Sequence, residues 1–325
     1  MKGCIAAALA LTLGFGSVAT AQTAPDSKWP EHPLRFIVPL PAGSAVDVMA
    51  RLIGKHLGER LGQPLIIENR AGASGVLGSD ITAKSDPDGY TLGMATSTTH
   101  ITAPVLNRRM PYDAMKDFAF VATVGRSPYV MVVKKDLPVK TVADVIKLAK
   151  EKPGTISYSS VGDASQARLV GELFSERTGI KLNHIPYKTS TQAVIDLNAG
   201  RIDMQFGIIG SSLPMIREGT LRALATTTPT RAKDLPDVPT MAEAGVPDME
   251  AALLFALVMP AKTPKAIVDL INRHVVEIMA MPDVKQMLAR QAIEATSNSP
   301  QQSQDQFGAE IKLWSDLATK AGLRS

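Results

Sequence analysis

The stretch Leu34-Arg-Phe-Ile-Val38-Pro-Leu-Pro41-Ala-Gly43-Ser44-Ala-Val-Asp47-Val-Met-Ala-Arg51 changes its hydrophobic period midway, and that change decides the fold. Leu34–Val38 is an apolar run of strand length, stopped by Pro39-Leu40-Pro41. Ser44, with Asp47 three residues on, reads as a capping box. Behind it Val46, Met49, Ala50, Ile53, Leu57 and Leu61 fall on one helical face. A buried strand that runs through a short polar turn into an amphipathic helix is the building unit of an α/β sheet.

The unit recurs along the chain. Leu65–Glu68 reads as a strand before Gly72-Ala-Ser-Gly75, and Tyr90–Ala95 as one that ends in Thr96-Ser-Thr-Thr-His100. Thr141–Lys150 reads as a helix capped by Thr141 and Asp144. The strand Ile156–Ser160 leads through Gly162-Asp-Ala-Ser165 to a helix burying Leu169, Val170, Leu173 and Phe174. Leu182–Ile185 leads through Tyr187-Lys-Thr-Ser190 to a helix around Val194 and Leu197. Ile202–Phe206, Leu221–Ala225 and Leu253–Met259 are further strands, and Thr263-Pro264 and Ser299-Pro300 open helices in the tail. Two βαβ sets result. Four of their strand-to-helix turns, at 41–47, 96–101, 162–166 and 187–191, carry small polar residues. Helix N-termini there offer free N–H groups to an anion, although the same residues also serve as ordinary helix caps.

Composition narrows the function. The chain has 325 residues, against roughly 150 per domain, which points to two domains. Aromatics are only 5% and no long Lys/Arg run accompanies the +4 charge, so no nucleic-acid partner is expected. Residues 1–21 read as a cleavable export signal: Lys2, an apolar run over Ile5–Phe15, and Ala19-Thr20-Ala21 before Gln22. The lone cysteine, Cys4, lies in that segment, so the expected mature chain has no thiol and no disulfide. The five histidines show no ligand spacing, and no nucleophile-elbow or phosphate-loop motif occurs. Gly72, Gly75 and Gly78 lack the dinucleotide spacing and read as close helix–strand packing. No catalysis, metal or cofactor is expected; a hydrolase is disfavoured by the missing nucleophile and base.

Several stretches together resemble one family. They are Arg35 to Arg51; Ile67-Glu-Asn-Arg-Ala-Gly-Ala-Ser-Gly-Val-Leu-Gly78; Asp86-Pro-Asp-Gly-Tyr-Thr-Leu92; Gly171-Glu-Leu-Phe174; Ile185-Pro-Tyr-Lys188; Asp196-Leu-Asn-Ala-Gly200; Asp237-Val-Pro-Thr240; and Ala242-Glu-Ala-Gly245. In this collinear order they resemble the substrate-binding proteins of tripartite tricarboxylate transporters, the Bug receptors. The resemblance implies an α/β, two-lobed periplasmic binding protein of type II, a "Venus flytrap" in which each lobe is a doubly wound sheet flanked by helices. It implies a monomer that captures a small organic carboxylate, whether di-, tri- or aromatic, and delivers it to the membrane permease subunits of a tripartite transporter. A periplasmic sensor that presents the same ligand to a histidine kinase is the alternative.

Carried over residue by residue, the resemblance implies ligand contacts from Leu40, Ala42, Gly43, Ser44 and Asp47, and from Ser97, Thr98, Thr99 and His100, in the first lobe. In the second lobe it implies Gly162, Asp163, Ala164, Ser165 and Arg168, then Tyr187, Lys188, Thr189 and Ser190, and Gly207. The chain departs from the family's usual residues at Leu40, Ser44, Arg168, Thr189 and Gly207, the last standing where an aspartate is common. The first-lobe loops contain no Lys or Arg, so a carboxylate is expected to meet backbone N–H groups of 42–45 and the hydroxyls of Ser44, Ser97, Thr98 and Thr99. Arg168 and Lys188 are the cations expected to meet a second carboxylate. The chain is expected to cross between lobes near Gly125–Pro128 and Glu250–Leu253, which assigns 22–126 plus 252–325 to lobe one and 127–251 to lobe two.

Overall fold

The computed structural model describes residues 29–107, 109–163, 165–320 and 322–323. The expected export signal, 1–21, and Ala164 lie outside the described residues. The first βαβ set forms as its periodicity requires. β1 (Leu34–Val38) is followed by α1 (Ala45–Leu61), β2 (Leu65–Asn69), a short turn of 3-10 helix (Ala73–Gly75) and α2 (Val76–Ala83). β3 (Thr91–Thr96) runs into one turn of π-helix (Thr98–Thr102) and α3 (Ala103–Leu106). β4 (Phe118–Lys134) comes next. The second set is α4 (Val142–Glu151), β5 (Ser157–Ser160), α5 (Gln166–Thr178), β6 (Asn183–Pro186), α6 (Ser190–Asn198), β7 (Met204–Ile208), α7 (Ile209–Arg217) and β8 (Leu221–Thr226). The chain then returns through β9 (Ala252–Pro260) to α8 (Lys265–Ala280), α9 (Pro282–Arg290), β10 (Glu294–Ala295) and α10 (Pro300–Lys320).

The strands lie in the order β2-β1-β3-β9-β4-β7-β5-β6. β1 pairs parallel with β2 and β3, and β5 pairs parallel with β6 and β7, as two βαβ sets demand. β4 joins the halves. Its residues Phe118 to Pro128 pair antiparallel with β9, and Tyr129 to Val133 pair with β7. The partner switch falls at Pro128, where a missing N–H costs no bond of an uninterrupted ladder. The sequence places a crossing near Gly125–Pro128 without a strand around it; the structure has one strand, β4, running through that segment. Gly125 is required by close approach: a Cβ there would lie 2.9 Å from Ile293 Cγ2 and 3.0 Å from Met49 Cε.

Core residues follow the pleat of β4. Phe118, Phe120, Tyr129, Met131 and Val133 join a cluster running through both lobes, with Phe174, Phe206, Phe307 and Trp314. Val121 and Val124 face α1 and α8 through Met49, Ile53, Leu57, Ile271 and Val275. Val130 and Val132 face α6 and α7 through Val194, Leu197, Ile209 and Leu213. Each such side chain, fully buried, contributes about 1.5–3 kcal/mol of burial free energy, so β4 ties both lobes to one cooperative core.

Candidate functional site

Three lobe-one loops meet at the carboxyl ends of β1 and β3. Ser44 caps α1, accepting the Asp47 N–H at 3.3 Å. Gly43, at φ +79°, adopts a left-handed turn open to glycine and turns its N–H onto Asp47 Oδ2 at 2.9 Å. The same carboxylate accepts Arg51 Nε at 3.0 Å and Asn69 Nδ2 at 2.9 Å, while Asn69 Nδ2 also donates to the Leu40 carbonyl at 3.0 Å. Burial alone would push the Asp47 carboxyl up. The bonds from Arg51, Gly43 and Asn69 outweigh it and hold the pKa below the usual value. Asp47 is therefore a buried brace for the loop. Ser44 N–H is also engaged, with the Pro41 carbonyl at 3.2 Å. The N–H groups of Ala42, Ala45 and Val46 have no acceptor among the described residues, the latter two as orphan donors of the first turn of α1.

The turn after β3 is used internally more than its sequence suggests. Ser97 Oγ accepts Leu254 N–H of β9 at 2.9 Å. Thr99 Oγ1 accepts Thr96 N–H at 3.0 Å and lies 2.9 Å from His100 Nδ1. Only Thr98 of this group is partly exposed. His100 is wholly buried, its ring 4.4 Å from Phe118 and 5.8 Å from Tyr112 between centroids, and burial pushes its pKa down to about 3. The histidine expected at the ligand is a neutral member of the aromatic core.

The third loop, Gly72–Gly75, was read only as packing. A Cβ on Gly75 would lie 2.6 Å from Thr99 Cγ2 and 3.3 Å from the Pro39 carbonyl oxygen, so this loop abuts both others. Its Ala73 and Ser74 have left-handed backbones, at φ +47° and +55°. That conformation costs a non-glycine residue roughly 1–3 kcal/mol and is held where the surroundings enforce it. It puts Ser74 Oγ 2.9 Å from the position of a Cβ on Gly162 of the second lobe. The two lobes thus touch across the cleft.

On the lobe-two side, Ser165 caps α5 and donates to the Gly162 carbonyl at 2.8 Å. Arg168 Nη1 donates to the Asp163 carbonyl at 3.1 Å and lies 3.6 Å from its carboxylate, so the guanidinium braces its own loop. Ser160 Oγ donates to the Gly162 carbonyl at 2.9 Å and lies 2.7 Å from His184 Nε2, whose Nδ1 is 3.7 Å from Asp163 Oδ1. That serine, histidine and aspartate are in line, an alignment the sequence did not show. Ser160 is fully buried, and the trio ties β5, β6 and the loop together. Burial, then Arg168, pushes His184 down to about 4. Tyr187 donates its hydroxyl to Asp196 at 2.8 Å, Thr189 caps α6 with Ser190 as its first residue, and Lys188 is exposed. Gly207 is buried in β7 opposite Val130.

Sequence reasoning missed four polar side chains at this end of the lobe-two sheet: Ser159, Gln166, Gln205 and Ser212. All are buried, and each has an atom without a hydrogen-bond partner. The available signal was a glutamine inside the apolar run Met204-Gln205-Phe206. Among the described residues no cluster could hold a metal, and no helix is long and apolar enough to cross a membrane.

Two α/β lobes sharing crossing strands, with loops and helix N-termini meeting between them, define a binding protein of the two-lobed periplasmic type. The family model for the tripartite tricarboxylate transporter family receptor matches residues 49–323, and the chain belongs to that family. It is 37% identical to Protein BugT of Bordetella pertussis (strain Tohama I), over 96% of this chain and 95% of that one. Among solved structures, Rpa4515 of R. palustris with adipate has a TM-score of 0.84 at 36% identity, covering 90% of this chain and 98% of that one. MatC from Rhodopseudomonas palustris with bound malate has a TM-score of 0.82 at 27% identity, covering 89% and 99%. These similarities make the protein a solute-binding receptor and not an enzyme.

Proposed function

We propose that the protein is an exported receptor that captures a small organic carboxylate between its lobes and delivers it to the membrane subunits of a tripartite tricarboxylate-type permease. Export runs through the signal at 1–21 and places the mature chain in the periplasm. Lobe one comprises 22–126 plus 252–325, and lobe two 127–251. The observation that carries the reading is the set of N–H groups at Ala42, Ala45 and Val46 that have no acceptor among the described residues, at a helix start without cations after the carboxyl end of β1. Such donors hold an anion through the helix dipole and bridging water. Adipate and malate in two solved relatives support the ligand class. In lobe one the contact set is Leu40, Ala42, Ser44 and Thr98 with the Ala45 and Val46 N–H groups; Asp47, His100 and Arg168 act as braces.

A thermal-shift screen of mono-, di-, tri- and aromatic carboxylates tests this. At a hundredfold excess over Kd a bound ligand adds about 2.7 kcal/mol to folding stability, a shift of several degrees. Stabilisation by amines or sugars with none by any carboxylate removes the proposal.

A further inference from the structure

α9 ends in a left-handed turn of the kind that glycine ordinarily makes. Ala292 N–H donates to the Ala289 carbonyl at 2.9 Å and Ile293 N–H to the Leu288 carbonyl at 3.0 Å, the pair of bonds that stops a helix around one left-handed residue. That residue is Ala292, at φ +51°. A Cβ is strained there where a glycine is not, and such strain persists only where the surroundings hold it. The surroundings belong to lobe two: the Ala292 side chain is 6% exposed and joins the cluster of Val130, Ile209 and Leu213. Ile293, one residue on, belongs to the lobe-one cluster with Met49 and Ile271. Two consecutive residues are thus packed into opposite lobes.

The turn is therefore a third crossing between the lobes, and it leans on the first. Ser127 Oγ, buried in β4 beside the partner switch at Pro128, donates to the Ala292 carbonyl at 3.2 Å. β10 then pairs Glu294 and Ala295 with Arg126 and Gly125 of β4. On the lobe-two side the Gln291 carbonyl lies against the first turn of α7, so closely that a Cβ on Gly210 would overlap it. α7 starts directly after β7. Rotation of the lobes about β4 and β9 must consequently carry the start of α7 across residues 291–293. Close-packed contacts of this kind hold discrete arrangements instead of deforming smoothly. We propose that the turn 291–293 is a latch that limits how far the cleft opens: Ala292, pegged into lobe two on a strained backbone, must leave its place before the lobes can swing further apart. The inference rests on the lobe division and receptor reading above and adds a control on the same cleft.

The test is Ala292→Gly, read by small-angle scattering of the ligand-free protein, with folding verified by circular dichroism. Glycine keeps the left-handed turn that stops α9 and removes the peg together with its strain. The expected result is a larger radius of gyration and a broader distance distribution than in the unaltered protein, because lobes released from the latch sample wider angles. Such a protein spends less time in the arrangement that captures a ligand. Ser127→Ala, which removes the bond to the Ala292 carbonyl, should shift the profile in the same direction, and it decides the matter if the first variant does not fold. A folded variant with an unchanged profile overturns the inference. A lowered melting temperature beside an unchanged profile overturns it too, and leaves Ala292 as core packing alone. Neither outcome touches the carboxylate-receptor reading, which stands or falls by the thermal-shift screen.

Discussion

Asp47 carries bonds to Gly43, Arg51 and Asn69, and Asp47→Ala removes them together. A hydrogen bond to a charged group contributes about 1.5–3 kcal/mol, and we expect a loss near the upper end of that range in urea unfolding, with weaker carboxylate binding as the loop loosens. Arg168→Ala is expected to weaken mono- and dicarboxylates equally, each by about tenfold, because the guanidinium braces Asp163. A loss confined to the dicarboxylate in calorimetry would place Arg168 on the ligand instead. Two pH windows follow from titrating side chains. His184, at about 4, stays neutral in the fold while the unfolded chain protonates near 6.5; stability therefore declines as pH falls between those values. Glu68 is held down to about 2 by Arg35 and Arg70, so its contribution is complete above the unfolded glutamate pKa near 4.3 and is lost as pH falls toward 2. His184→Gln should flatten the first window and Glu68→Gln the second, read as melting temperature against pH.

At the scale of elements, β4 is the part the sequence concealed. Strands, helices and caps of the two βαβ sets were legible because each repeats a short local pattern, as at Ser44, Thr141, Ser165 and Thr189. β4 has no such pattern, since its pairing with β7, β8, β9 and β10 is entirely long-range. The site was legible in the same uneven way. Loop positions could be read from turns and caps, but whether Asp47 or His100 faces a ligand or the interior depends on Asn69, Phe118 and Tyr112, which are remote in sequence. Two expectations follow. Amides of 130–133, flanked by ladders on both sides, should be among the slowest to exchange with deuterium. Gly210→Ala should destabilise by about 1–3 kcal/mol, because a Cβ there overlaps the Gln291 carbonyl where α7 packs on the segment after α9. An unchanged urea midpoint would show that this packing yields freely.

For the whole molecule, Ser74 and Gly162 meet where the two lobes approach each other. Saturation with a bound carboxylate should lower the radius of gyration in solution scattering, through hinge closure about the crossing strands. Gly162→Ala, which adds a Cβ at φ +94° facing Ser74, should reduce that change and weaken binding; an unaltered profile would remove the contact from the closing motion. The strand order has a further consequence. β9 sits between β3 and β4, so those two strands are not neighbours and a slot separates them. A ribosome makes the chain from its N-terminus, so β3 and β4 exist well before the residues that fill the slot. Until residue 260 emerges, both present open hydrogen-bonding edges of the kind that recruit foreign strands. Lobe two lies between the crossings, but its α7 is covered only when the segment around Gln291 and Ala292 arrives. The newborn chain therefore carries two open strand edges until β9 arrives, and that interval is when it most needs a holdase.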